Sequence, residues 1–173
     1  MEGNVDFSLV TGFFSGYEEY RIDTGNKIKF LIEAGNYDFV EDDLIRDGDF
    51  FPIDFYSQHR PPAGFCLIGF SEPTNPGEVV AFMLSLKDYI GRYRPANFRD
   101  LLVLGKEYPN LQKRRSILAI GQLSNELDGK TYFPVLMSTL KDDKKQRGLS
   151  VLEWKSGTGF GPSYVFLFVS DVF

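Results

Sequence analysis

Along residues 27–40, KIKFLIEAGNYDFV, apolar and polar positions alternate loosely and break at Ala34-Gly35-Asn36. This pattern predicts two short strands joined by a tight turn. GFCLIGF, residues 64–70, is a continuous apolar run of strand length and predicts a short buried strand. The period then changes. In TNPGEVVAFMLSLKDYIG, residues Val79, Phe82, Met83, Leu86 and Ile90 recur three and four apart, the spacing of one helix face, with Lys87 and Asp88 outside the stripe. Asn75 reads as its N-cap, Pro76 as its first helical residue, Glu78 as the partner three after the cap and Gly91 as its terminator, which predicts a helix over 76–90. A second, shorter helix is predicted from Asn97, which can cap FRDLLVLG with Asp100 in its first turn, ending near Gly105 or before Pro109.

From Ser116 onward four runs read as strands: SILAIGQL, TYFPVLMSTL, LSVLEWK and SYVFLFVS. Their connections, SNELDGK, KDDKKQRG and SGTGFGP, are short and rich in turn formers, so successive strands are expected to pair antiparallel as a meander. Pro134 cannot donate to a ladder, which predicts an edge or a bulge there. YVFLFV is apolar at every position, as in a strand covered on both faces, so the last strand is expected to be central. By contrast, residues 41–64 are dense in Asp, Gly and Pro and predict an irregular segment. The fold class expected is therefore a single α+β domain over 1–173. An antiparallel sheet, mainly the C-terminal four-strand meander, packs with one or two helices, and the N-terminal half is loop-rich.

Composition supports a packed core: 43% of the 173 residues are hydrophobic, with 17 Phe and 9 Tyr. The acidic start, MEGNVDFSLV, lacks the features of a signal peptide, and no apolar run approaches the ~18 residues of a membrane span, so the expectation is a cytoplasmic protein with no membrane association. Cys66 is the one cysteine, inside an apolar run, and reads as a buried small hydrophobe. Charge is distributed unevenly. Residues 1–86 hold 5 basic against 15 acidic residues, and residues 87–173 hold 14 basic against 9 acidic. The basic residues Arg92, Arg94, Arg99, Lys113, Arg114 and Arg115 are expected to pair with the acidic half rather than with nucleic acid, which the net charge of -5 disfavours.

Candidate chemistry is sparse. In VLEWKSG, Glu153 and Lys155 lie two apart and so on one face of a strand. This resembles the Glu-x-Lys strand of the PD-(D/E)xK nuclease superfamily. The resemblance implies a metal-dependent phosphodiesterase in which Glu153 and an upstream Asp143 or Asp142 hold Mg²⁺ while Lys155 helps to activate water. The chain, however, runs through SGTGFGP into a strand where that superfamily has a helix, and a hairpin is the expected reading of both motifs. GTGFG is one residue short of the dinucleotide spacing and precedes no amphipathic helix. With one histidine, His59, and one cysteine, neither a zinc site nor a nucleophilic triad is expected, and no cofactor is called for.

The leading function is then a non-catalytic protein-binding module, an acidic inhibitor or immunity-type partner for a protein with a basic surface. Asp42, Asp43, Asp47 and Asp49 would steer the partner, and Phe50, Phe51, Phe55 and Tyr56 would anchor it. A small-ligand domain with an aromatic pocket is the third reading.

Overall fold

The computed structural model describes residues 7–14, 27–41, 63–86, 93–121 and 130–170. Residues Lys27–Ala34 form a helix, α1, and not the first strand of a hairpin. Ile28, Leu31 and Ile32 sit at helical spacing, with Ile28 and Leu31 buried. The predicted tight turn is the C-terminus of that helix: Gly35 N donates to Leu31 O, and Asn36 closes the turn at φ 47. Both helices start at the predicted caps, and each start closes as a capping box. Asn75 and Glu78 exchange hydrogen bonds at the start of α2, Pro76–Ser85, and Asn97 and Asp100 do so at the start of α3, Phe98–Glu107. Described structure stops at Leu86, the C-cap of α2, so Lys87, Asp88, Ile90 and the expected terminator Gly91 lie outside the described residues. A 3₁₀ turn at Leu111–Lys113 follows α3.

Among the described residues eight strands make one sheet: β1 Phe7–Phe13, β2 Phe39–Val40, β3 Gly64–Phe70, β4 Tyr93–Pro95, β5 Ser116–Leu118, β6 Thr131–Lys141, β7 Lys144–Trp154 and β8 Tyr164–Ser170. Their order is β1-β3-β8-β5-β6-β7-β2, with β4 also on β8. The sheet is mixed and not the antiparallel meander expected. β5, β6 and β7 do meander, but β8 returns to pair parallel with β5, and β2 pairs parallel with β7. Strand β8 is central, as its unbroken apolar run predicts: β3 occupies one edge and β5 with β4 the other. The KDDKKQRG connection is tighter than expected. Asp142 and Asp143, both at positive φ, form a two-residue turn, and the residues on either side join the ladder. Pro134 is interior to β6, yet its carbonyl accepts from Ala119, just past the end of β5. Its ring nitrogen therefore faces a side where the ladder has already stopped, so the sheet tolerates it.

Alternation along the strands sends side chains to two separate cores. Phe65, Leu67, Ile117, Leu136, Val165, Leu167 and Val169 face α1 and α3. Cys66, Ile68, Leu118, Phe133, Val135, Phe166 and Phe168 face α2. With both faces covered, every residue of β3 is buried.

The segment from Lys155 to Ser163 is not a hairpin. β7 and β8 run the same way with β6 and β5 between them, so this chain must cross the sheet. It crosses the α2 face, where Phe160 is buried against Phe133, Phe166 and Tyr164 and is held by a two-way backbone bridge to Thr74.

Candidate functional site

Two features stand out, both at the β1 end of the sheet. β1 is an edge strand: it pairs with β3, and no other described strand lies beside it. Phe14 N donates to Ala63 O, which fixes the phase of the ladder. The main-chain groups of even-numbered residues face β3, and those of Phe7, Leu9, Thr11 and Phe13 face outward. Tyr108 reaches one of these outward groups, donating its hydroxyl to Phe13 O. Gly12 leaves room for the Phe65 ring, which would otherwise collide with a Cβ there. The sequence FSLVTGF carries no charge, no proline and no bulge, the usual protections of an edge. Its apolar side chains stand in solvent among the described residues: Leu9 is 44% exposed, Val10 48% and Phe13 68%. Sequence reasoning passed over this strand, although Phe7, Leu9, Thr11 and Phe13 at alternate positions carry a strand signal.

At the beginning of β1 lies a small cavity of about 160 Å³ where β1 and β3 meet the segments entering β5 and β8. Phe7, Ser8, Gly69, Phe70, Ser71, Arg115 and Pro162 line it. Arg115 Nη1 donates to Ser8 Oγ at 2.8 Å. The expectation that the cations pair with the acidic half is not met here, since Arg115 has a hydroxyl partner. Arg94 pairs with Asp100 at 2.7 Å, inside its own half.

The residues expected to bind a partner, Asp42, Asp43, Asp47, Asp49, Phe50, Phe51, Phe55 and Tyr56, lie outside the described residues. Their neighbour Glu41 accepts a hydrogen bond from Ser150 Oγ at the end of β2. Glu153 and Asp143 are not brought together. Asp143 is in the turn before β7 and Glu153 near its far end, roughly 30 Å away at ~3.3 Å per residue. Glu153 pairs instead with Lys130 at 3.3 Å, and Lys155 is exposed just past the strand. Among the described residues no group of three or more His, Cys, Asp or Glu is placed to hold a metal ion. In GTGFG, Gly157 takes φ 84, and Gly159 packs so closely on Pro73 and Thr74 that a Cβ would lie 2.8 Å from their backbone. Trp154 Nε1 donates to Thr158 O at 2.9 Å. The glycines thus shape a crossing, and the motif's main-chain groups are used to anchor it.

The most elaborate polar cluster is buried and tightly filled. Arg147 donates to Gly35 O at 2.9 Å and Gly105 O at 2.7 Å, the C-terminal ends of α1 and α3, and lies over the Tyr37 ring at 5.1 Å. A guanidinium suits the negative end of two helix dipoles. Gln112 donates to Met137 O and Gly148 O beside it. Burial raises the Tyr37 hydroxyl above its ordinary 10.0, with Arg147 opposing, and burial pushes the Cys66 thiol up to about 12. Both groups stay protonated at neutral pH and offer no nucleophile.

No family model, curated protein or solved structure matches the chain. No helix among the described residues is long and apolar enough to cross a membrane.

Proposed function

We propose that this protein is a non-catalytic protein-binding module that accepts an extended segment of a partner as a ninth strand beside β1. The outward main-chain row of Phe7, Leu9 and Thr11, flanked by exposed apolar side chains, supports this reading. Such a row fits extended backbone, and pockets for alternate side chains supply selectivity. The partner segment is apolar on one face. The acidic excess before residue 87 favours a basic surface around it, with Asp42, Asp43, Asp47 and Asp49 steering the approach.

Synthetic heptapeptides with alternating apolar residues and lysines on the other face provide the test. Binding should protect the Leu9 and Thr11 amides from hydrogen exchange. Thr11→Pro, which removes an outward N–H and none facing β3, should weaken binding at least about tenfold while leaving the melting transition in place. Unchanged exchange at β1, or equal binding by Thr11→Pro, would remove the basis for this function. Dimerisation of the protein alone, lost in Thr11→Pro, would replace the partner with a second copy.

A further inference from the structure

The docking edge has an end, set by Tyr108, and its consequence rests on the strand-addition reading and sharpens it. Tyr108 is the C-cap of α3, its backbone N–H donating to Leu104 O at 2.8 Å. Its ring packs edge-on against Phe65 and Phe14, at 4.9 and 6.4 Å between centroids, and those two rings lie 5.3 Å from each other. The hydroxyl is therefore held in place by three interlocked rings. Gly12 makes the arrangement possible. A Cβ there would sit 2.5 Å from the Phe65 ring, so glycine is what lets that ring lie against β1 on the side of α1 and α3. From its place beside Phe65, Tyr108 donates its hydroxyl to Phe13 O, the carbonyl that follows Thr11 O in the outward row. An added strand supplies one N–H for each outward carbonyl. At Leu9 and Thr11 no described group competes for that bond. At Phe13 the protein already supplies a donor of its own, and a partner's N–H arriving there meets the Tyr108 hydroxyl.

We propose that Tyr108 closes the docking row at Thr11 and thereby selects partner segments that need no N–H beyond it. A proline at the partner residue that would donate to Phe13 O costs nothing, because its missing N–H has no acceptor to lose. Prolines at the residues donating to Leu9 O and Thr11 O break the ladder. The partner is thus a short extended segment that can turn away, through proline, as soon as it has passed Thr11.

A proline scan of a synthetic peptide, titrated into the intact protein, tests this. The peptide is a nonapeptide blocked at both ends that alternates apolar residues with lysines, with a different apolar residue at each place so that one register is preferred. Proline should weaken binding about fivefold or more at alternate positions, those whose N–H groups donate to β1. Tyr108→Phe keeps the ring on Phe65 and Phe14 and loses the donor, so in that variant the alternating series of sensitive positions should become one member longer. A series of the same length in both proteins overturns the role of Tyr108 and leaves strand addition standing. Proline losses without alternation, or no binding by the unsubstituted peptide, remove strand addition itself and this inference with it.

Discussion

Tyr37 shows what a single buried atom costs this fold. Its hydroxyl has no hydrogen-bond partner among the described residues, although its ring supports Arg147 and its oxygen fills the space that Gly105 leaves. An unmade buried hydrogen bond costs ~1–3 kcal/mol, whereas removing the polar group and keeping the shape is close to neutral or stabilising. Tyr37→Phe should therefore leave stability unchanged or raise it by up to about 1 kcal/mol in urea denaturation; a loss of more than that would reveal a partner for the hydroxyl. The same residue shapes the response to alkali. Tyr37 and Cys66 both have raised pKa values in the fold, so the unfolded chain ionises first and stability drains away as pH rises. Stability should hold below about pH 9 and fall from there towards pH 12, the interval between the ordinary and the folded value of Cys66, with Tyr37 adding to the fall above about pH 10, so Tyr37→Phe should make that fall shallower. Arg147 was invisible in the sequence for a simple reason. It stands in KDDKKQRG, where composition announces a solvated turn, and only the pairing of β6 with β7 carries it indoors.

Elements were legible where their signals are local. Asn75 with Glu78 and Asn97 with Asp100 name two helix starts because a cap is satisfied within three residues. α1 was misread because its two isoleucines and Phe30 suit strands as well, and the turn signal at Gly35-Asn36 serves a helix end as readily as a hairpin. The partner of β8 was illegible, since turn residues state that a chain bends and not which strand it reaches. GTGFG is the clearest case, a crossing written in the letters of a hairpin. Its glycines can be told apart by substitution. Gly159→Ala pushes a methyl into the backbone at Pro73 and Thr74 and should disturb the Phe160 bridge, costing about 1–3 kcal/mol. Gly161→Ala meets nothing within 4 Å and should be near neutral. Equal melting temperatures for the two variants would mean that the segment does not lie against residues 73–74. The candidate site was illegible for a related reason: β1 becomes an edge, and Arg115 a cavity wall, only once β3 has chosen β8.

At the scale of the molecule, β8 serves both cores at once. Phe166 and Leu167 are neighbours in sequence and lie on opposite faces, each fully buried. Phe166→Ala should cost about 3–5 kcal/mol and Leu167→Ala about 2–5 kcal/mol, and in either case one cooperative transition should report loss of both layers. Two separated transitions by fluorescence and far-ultraviolet dichroism would show that the layers are held independently. The strand order has a further consequence, in time. Of the described strands, β8 is the last to leave the ribosome, yet it is the one that β3, β4 and β5 all require. GFCLIGF is synthesised more than ninety residues ahead of its partner, so at ~5–20 residues per second it waits roughly 5 to 20 seconds without it. During that wait an uncharged apolar segment is presented to every other nascent chain nearby. Slowing translation, a common remedy for poor yield, lengthens the wait, so for this protein it should worsen aggregation, and a chaperone that shields GFCLIGF until release should relieve it.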